Sequence, residues 1–177
     1  TRCTVVTGVQ TCALPIYYHG VVPSATYTLT DGLLSTTSSL SIALTSINDA
    51  PVGSVDSTTT NEDVSATGNV LSNDGDVDGD TLSVTQFVWG STTAAAGDTV
   101  TISGVGSLTI GSNGSYTFTP AANYHGSVPS ATYTLTDGLL STTSSLAIAL
   151  TSINDAPVGA VDSTTTNEDV SATGNVL

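Results

Sequence analysis

Four carboxylates fall within seven residues at Asp74, Asp76, Asp78 and Asp80, interleaved with Gly75 and Gly79. Like charges packed into a tight turn repel one another, so the segment calls for a counter-cation. The donors are hard oxygens with no His or Cys among them, a set that selects Ca²⁺ or Mg²⁺ over zinc or copper. A flexible loop suits the roughly six to eight ligands of calcium better than the strict octahedron of magnesium, so Ca²⁺ is the expected cofactor. The spacing Asp74-x-Asp76-x-Asp78-Gly79 imitates the first half of an EF-hand loop. The twelfth position, however, is Thr85 where a Glu is needed, and a strand-like pattern follows, so no EF-hand is expected. The competing reading is a solvated acidic turn that keeps the protein soluble.

Catalytic chemistry finds little support. His19 and His125 each sit in a Tyr-His-Gly context; a general base needs an oriented partner, which the sequence does not name, so a structural role is expected for both. No G-x-S-x-G elbow occurs, and the one basic side chain is Arg2, which leaves no lysine for a phosphate loop or a Schiff base. A charged aspartate cluster is a weak proton donor unless one member is buried, so glycoside hydrolysis is not expected either. The chain is read as a non-enzyme. Trp89, the only tryptophan, closes the run Phe87-Val88-Trp89-Gly90 and is expected to plug a core. The alternative is an exposed Trp89 that stacks on a sugar ring, which would make the chain a carbohydrate- or ligand-binding module. Tyr133 is expected to cap a nearby backbone group through its hydroxyl. Asn113-Gly114-Ser115 fits a glycosylation acceptor, but the same residues are what a hairpin turn needs.

The elements that must carry these residues are strands. The chain has 33 Thr and 24 Ser in 177 residues, and β-branched Thr suits a pleated, half-exposed surface. Apolar residues alternate with polar ones at a mean hydropathy of +0.22, so an all-β globular chain is expected despite a net charge of -14. Fifteen acidic residues face one basic one. With nothing to neutralise phosphates, nucleic acid and anionic membrane surfaces are poor partner candidates. No apolar run approaches the roughly 20 residues that span a bilayer, so no membrane insertion is expected.

The first 16 residues differ in style from the rest and hold both cysteines, Cys3 and Cys12. The run Val6 to Ile16, VTGVQTCALPI, resembles the conceptual translation of a short-read sequencing adapter, and residues 1–16 are set aside as a non-native segment. Beyond them, residues 18–71 recur as residues 124–177 at an offset of 106, with three mismatches: Val21/Ser127, Ser41/Ala147 and Ser54/Ala160. Such a period marks a tandem array. It divides the chain into the end of one repeat over 17–49, a complete unit over 50–155, and the start of the next over 156–177. The flanks lack the strands that would cover their apolar faces and are expected to be poorly ordered. Within the complete unit, Leu82, Val84, Gln86 and Val88 are expected on one side of a strand. Leu108 and Ile110 lead through Gly111-Ser112-Asn113-Gly114 into Tyr116 and Phe118, which reads as a hairpin. Tyr133 with Leu135, then Leu146, Ile148 and Leu150, give two further strands. Short, turn-punctuated strands predict an antiparallel sandwich.

The strings NEDVSATGNVLSNDGDVDGDTLSVT (Asn61 to Thr85), GSYTFTPAANYHG (Gly114 to Gly126), ATYTLTDG (Ala131 to Gly138) and INDAPVG at Ile47 and Ile153 resemble the VCBS-type, cadherin-like bacterial immunoglobulin repeats. The resemblance covers residues 17–177. It implies tandem immunoglobulin/cadherin-like β-sandwiches of a large secreted or cell-surface bacterial adhesin, exported by a type I system and active in cell contact and biofilms. The partners it implies are neighbouring repeats of the same chain and cell-surface glycans or proteins. By analogy with cadherin junctions, the linker residues Asn48 and Asp49 would join Asp76 and Asp78 around shared calcium, with Glu62 and Asp137 as further ligands. The linker here is the shorter INDAP form, without the longer acidic and amide-rich segment of cadherins.

Overall fold

In a computed structural model, residues 20–176 are described in full, and of the preceding segment the backbone of two strands, β1 (Cys3–Val6) and β2 (Val9–Cys12), which pair antiparallel. The side chains of residues 1–19, and with them His19, both cysteines and the adapter-like segment, lie outside the described residues.

Residues 56–151 fold as two facing sheets. One has the order β5-β13-β12-β7-β8, formed by β5 (Asp56–Asn61), β7 (Ser83–Trp89), β8 (Thr92–Ala95), β12 (Ala131–Thr136) and β13 (Ser141–Thr151). The other has the order β6-β11-β10-β9, formed by β6 (Ala66–Asn69), β9 (Thr99–Ile102), β10 (Gly106–Ile110) and β11 (Ser115–Pro120). The alternation over β10 and β11 places Leu108, Ile110, Tyr116 and Phe118 inward. The turn between them closes as expected, with the Gly111 N–H on Ser115 O at 2.7 Å and Gly114 at φ +81°. A side chain at Gly114 would also run into Asn69 and Leu71, so that position needs glycine for space as well as for conformation.

Two expectations need correction. The strand over Leu82 to Val88 does not keep one face: Leu135 pairs with Val84 but Thr134 pairs with Gln86, so Thr85 is an extra residue in the ladder. This bulge reverses the side-chain alternation, exposes Gln86, and turns Phe87 and Trp89 into the core beside Val84. The sandwich is also not wholly antiparallel, because β5 runs parallel to β13, from Asp56 beside Leu146 to Asn61 beside Thr151. The first and last strands of the repeat therefore point the same way. The chain enters at one pole of the sandwich and leaves at the other. β5 was not foreseen at all, since its sequence DSTTTN offers no apolar alternation; its inward residues are the half-buried Asp56, Thr58 and Thr60.

Between the sheets, Trp89 and Phe118 pack edge to face, with ring centroids 5.9 Å apart at 83°. Trp89 is 0 % exposed, and its indole N–H donates to Pro129 O at 2.8 Å. The exposed stacking platform considered above therefore does not exist, because the bulge at Thr85 aims this side chain inward. Upstream of the sandwich, β3 (Ala25–Thr30) and β4 (Ser35–Leu40) form a separate hairpin. Its residues are identical to those of Ala131 to Leu146, yet Tyr27, Leu29 and Leu40 are 42, 52 and 53 % exposed where Tyr133, Leu135 and Leu146 are 0 %. The same residues form the same hairpin in both places; burial comes from the neighbours that only the second copy has, β7, β5, the linker and the second sheet. Residues 156–176 contain no strand.

Candidate metal centre

The acidic loop is built by the linker that precedes the sandwich. Val52 and Gly75 exchange both backbone hydrogen bonds, Val52 N–H to Gly75 O at 2.8 Å and Gly75 N–H to Val52 O at 3.0 Å. Asn73 Nδ2 donates to Val55 O at 3.2 Å. These contacts stitch residues 52–55 along residues 73–75 and bring the INDAP segment alongside the loop. Gly79, at φ +82°, supplies the left-handed turn that folds the loop back on itself.

Asp76, Asp78 and Asp80 each offer a carboxylate oxygen, and the three atoms lie within 4.8 Å of one another. Asp76 Oδ1 is the pivot: it accepts from Asp78 N at 2.8 Å and Asp80 N at 3.4 Å. Its Oδ2 is buried and receives no hydrogen bond. An ionised oxygen withdrawn from water without a partner is costly, and a cation is the partner that three converging carboxylates call for. The linker closes on this group. Asp49 N–H donates to Asp78 Oδ2 at 2.8 Å, and Asn48 Nδ2 donates to Asp137 Oδ2 at 2.7 Å. Asp137 also accepts at Oδ1 from Leu139 N and Leu140 N; Asn48 first, then these two amides, hold its carboxyl below the usual range. The donor set fits a hard divalent cation, with Asp76, Asp78 and Asp80 to hold it and Asp49 and Asp137 at its border.

Two of the expected ligands stand elsewhere. Asp74 turns away from the loop: its Oδ1 accepts from Ser54 N at 2.7 Å and its Oδ2 lies 3.0 Å from the Tyr133 hydroxyl. Glu62 lies past the far end of β5, where its carboxylate groups with Asp63 and Asp155. Sequence reasoning missed that second grouping. No local signal could have found it: Glu62 follows β5 and Asp155 follows β13, and only the parallel pairing of those strands brings their ends together.

The hydroxyl of Tyr133 does more than cap one carbonyl. It lies 2.9 Å from Asp56 Oδ2, 3.0 Å from Asp74 Oδ2, 3.0 Å from Val70 O and 3.3 Å from Ser54 O. Burial raises the tyrosine's pKa far above its ordinary value, so the proton stays, shared among acceptors that include two carboxylates. Burial, aided by the nearby Asp74 charge, likewise raises that of Asp56. This hub ties β12 to the linker, to β5 and to the start of the acidic loop. Tyr133→Phe is expected to lower unfolding free energy by about 1.5–3 kcal/mol, the scale of hydrogen bonds to charged groups. Urea denaturation checks this, and an unchanged slope with a lower midpoint would place the loss in the folded state.

Several solved structures are similar in part. A nucleoside hydrolase-related hypothetical protein from Saccharophagus degradans aligns at 18 % identity and TM-score 0.39, over 59 % of this chain and 26 % of that one. An endo-fucoidan hydrolase of glycoside hydrolase family 107 aligns at 20 % identity and TM-score 0.37, over 74 % and 19 %. A chimeric titin Z1Z2 aligns at 11 % identity and TM-score 0.34, over 85 % and 72 %. The chain thus spans about a quarter and about a fifth of the first two. No curated protein matches the sequence. The family model for the bacterial cadherin-like domain matches residues 48–152, from the linker Asn48 to the end of β13 and over more than half of the chain. With its two-sheet sandwich and the acidic loop beside its entry linker, the chain belongs to the bacterial cadherin-like domain family.

Proposed function

We propose that the chain is a non-catalytic stretch of a large bacterial surface or secreted adhesin, in which tandem sandwiches act as a calcium-stiffened spacer in cell adhesion and biofilm. The observation that carries this reading is the junction itself: Asn48 and Asp49 hydrogen-bond to Asp137 and Asp78 beside the buried, unpartnered Asp76 Oδ2. Bound Ca²⁺ would supply the positive charge that offsets the carboxylates of Asp76, Asp78 and Asp80. The protein's own part is to hold the linker against that group, so that cation binding and linker docking favour each other. The same-direction run of β5 and β13 supports a linear array, whose first partners are neighbouring repeats of the same chain. Cell-surface glycans or proteins are the outer partners of such an adhesin, and no feature favours nucleic acid. Among the described residues no helix is long and apolar enough to cross a membrane. Low cytosolic calcium would leave the junctions loose during export, which suits secretion by a type I system, and extracellular calcium would then set them. A ligand-binding role for Trp89 is not favoured, because the indole is fully buried.

Small-angle scattering from a protein with two complete 106-residue units tests the reading. In millimolar Ca²⁺ the pair is expected to be extended with a narrow spread of inter-unit distances, and in EDTA to broaden and shorten. Identical profiles in both conditions would overturn the stiffening.

A further inference from the structure

We propose that residues 156–176 of one copy of this chain dock on the β3–β4 hairpin of a second copy, adding a parallel strand beside residues 40–45. The contact joins chain to chain, an activity beyond that of a spacer, and it does not depend on calcium binding at the acidic loop.

The sandwich shows what the hairpin accepts. In β13, residues Ser141 to Leu146 pair with β12, and from Leu146 to Thr151 the strand pairs with β5. Residues 35–45 repeat residues 141–151 with one change, Ser41 for Ala147, yet β4 stops at Leu40 and residues 41–45 are not strand. The part of the strand that fails to form is the part that β5 holds in the sandwich. Ile42 and Leu44, the counterparts of Ile148 and Leu150, are exposed, as are Tyr27, Leu29 and Leu40. A two-stranded hairpin is marginal in water, and an open edge beside apolar side chains is a template for a further strand.

The chain carries the strand that fits this edge. Residues 156–176 repeat residues 50–70 with one change, Ala160 for Ser54, and they are exposed and hold no strand. In the sandwich, the earlier segment supplies three of the four acceptors around the Tyr133 hydroxyl: Ser54 O, Asp56 Oδ2 and Val70 O. Two are backbone carbonyls and the third is an aspartate that recurs as Asp162, so residues 156–176 bring the same three acceptors to Tyr27, the counterpart of Tyr133. Ser144 Oγ donates to Ser54 O at 2.6 Å, a bond that Ser38 repeats on Ala160 O in the docked pair. The register of β5 on β13 places Asp162 beside Leu40 and Asn167 beside Thr45.

Two glycines separate this docking from other modes of association. A Cβ on Gly53 would stand 2.8 Å from Ser144 Cβ and 3.1 Å from Leu135 Cδ2, because the linker lies close on the β12–β13 hairpin; a Cβ on its counterpart Gly159 meets nothing within 4 Å. A side chain at residue 159 is therefore harmless in the free chain and obstructs docking against Ser38 and Leu29. Gly174 is the control. Its counterpart Gly68 is crowded by Tyr116 of β11, a strand outside the hairpin, and a Cβ on Gly174 itself meets nothing within 4 Å.

The test is sedimentation equilibrium of the full chain carrying Cys3→Ser and Cys12→Ser, which removes disulfide-linked pairs. It is run in EDTA with about 150 mM NaCl, to screen repulsion between two acidic copies. Reversible, concentration-dependent association is expected. Gly159→Val is expected to weaken it at least about fivefold, the low end of the cost of forcing a side chain into a packed contact, and Gly174→Val less than about twofold. Tyr27→Phe is expected to weaken it too, while leaving the melting of the sandwich unchanged, because Tyr27 stands outside that fold. A chain that stays monomeric throughout would overturn the proposal. Equal weakening by the two valines would place residues 156–176 in the second copy's sandwich in exchange for residues 50–70, and weakening by neither would make the association nonspecific; both results overturn it as well. Because calcium is absent throughout, none of these outcomes bears on the stiffening proposed above.

Discussion

Trp89→Ala is expected to remove a large share of the stability of the sandwich. The indole is fully buried, packs edge to face on Phe118, and bonds to Pro129 O. Truncating a buried tryptophan leaves a cavity that costs about 3–5 kcal/mol, and the unpaired Pro129 carbonyl adds to the loss. A domain of this size holds only about 5–15 kcal/mol in total, so the variant should be largely or wholly unfolded on mild heating. Trp89→Phe separates the two contributions: it keeps an aromatic ring against Phe118 but loses the N–H, and should cost less than the alanine change. In the parent, intrinsic fluorescence should be blue-shifted and resistant to an aqueous quencher, since Trp89 is the only indole. A red-shifted, readily quenched spectrum, or an alanine variant that melts where the parent does, would return Trp89 to the surface and revive a sugar-stacking role.

The route by which Trp89 reaches the core marks the boundary of what its sequence context could reveal. Alternation was legible wherever a strand kept strict register: β10, β11 and β12 place their apolar residues as a period of two demands. At Thr85 the ladder takes one extra residue, and everything after it faces the other way. Nothing local announces this, because a bulge is specified by how the strand meets β12 and not by its own composition. β5 failed for a different reason. Its half-buried face consists of Asp56, Thr58 and Thr60, and it is held by parallel pairing to a strand about 90 residues later, as Asp56 opposite Leu146 shows. The acidic loop was legible as a charge problem, but only in part as a site. Asp74 and Asp76 are two residues apart and look equivalent in the sequence, yet one serves the Tyr133 hub and the other joins the carboxylates of Asp78 and Asp80. That division depends on the Val52 to Gly75 bridge, a contact between segments the sequence does not relate. Glu62 was expected near Asp76 and Asp78 and stands instead with Asp63 and Asp155 for the same reason: the pole at which it stands follows from the direction of β5.

Calcium is expected to raise the melting temperature by roughly 6–20 °C at 10 mM. Extracellular calcium sites commonly have dissociation constants of about 0.1–1 mM, so 10 mM is roughly 10–100 times that value. Linkage then gives about 1.4–2.7 kcal/mol, and a unit of about 100 residues gains roughly 4–8 °C for each kcal/mol. The control is Asp76→Asn with Asp78→Asn. Each amide keeps a side-chain oxygen to accept what the carboxylate accepts now, Asp78 N and Asp80 N at residue 76 and Asp49 N at residue 78, so the loop should keep its shape while losing two charges. Two opposite effects follow. In EDTA the double variant should match or exceed the parent, because repulsion among residues 76, 78 and 80 is relieved. In calcium it should gain little, because the ion has lost two anionic ligands. The crossing of the two responses distinguishes cation binding from a general effect of ionic strength, which would act on both proteins alike and be reproduced by NaCl at matched strength. Equal responses of parent and variant would reduce the loop to a solvated acidic turn. The parent gaining while Asn48→Ala gains as much would keep the ion but detach it from the linker, and with it from the stiffening of the array.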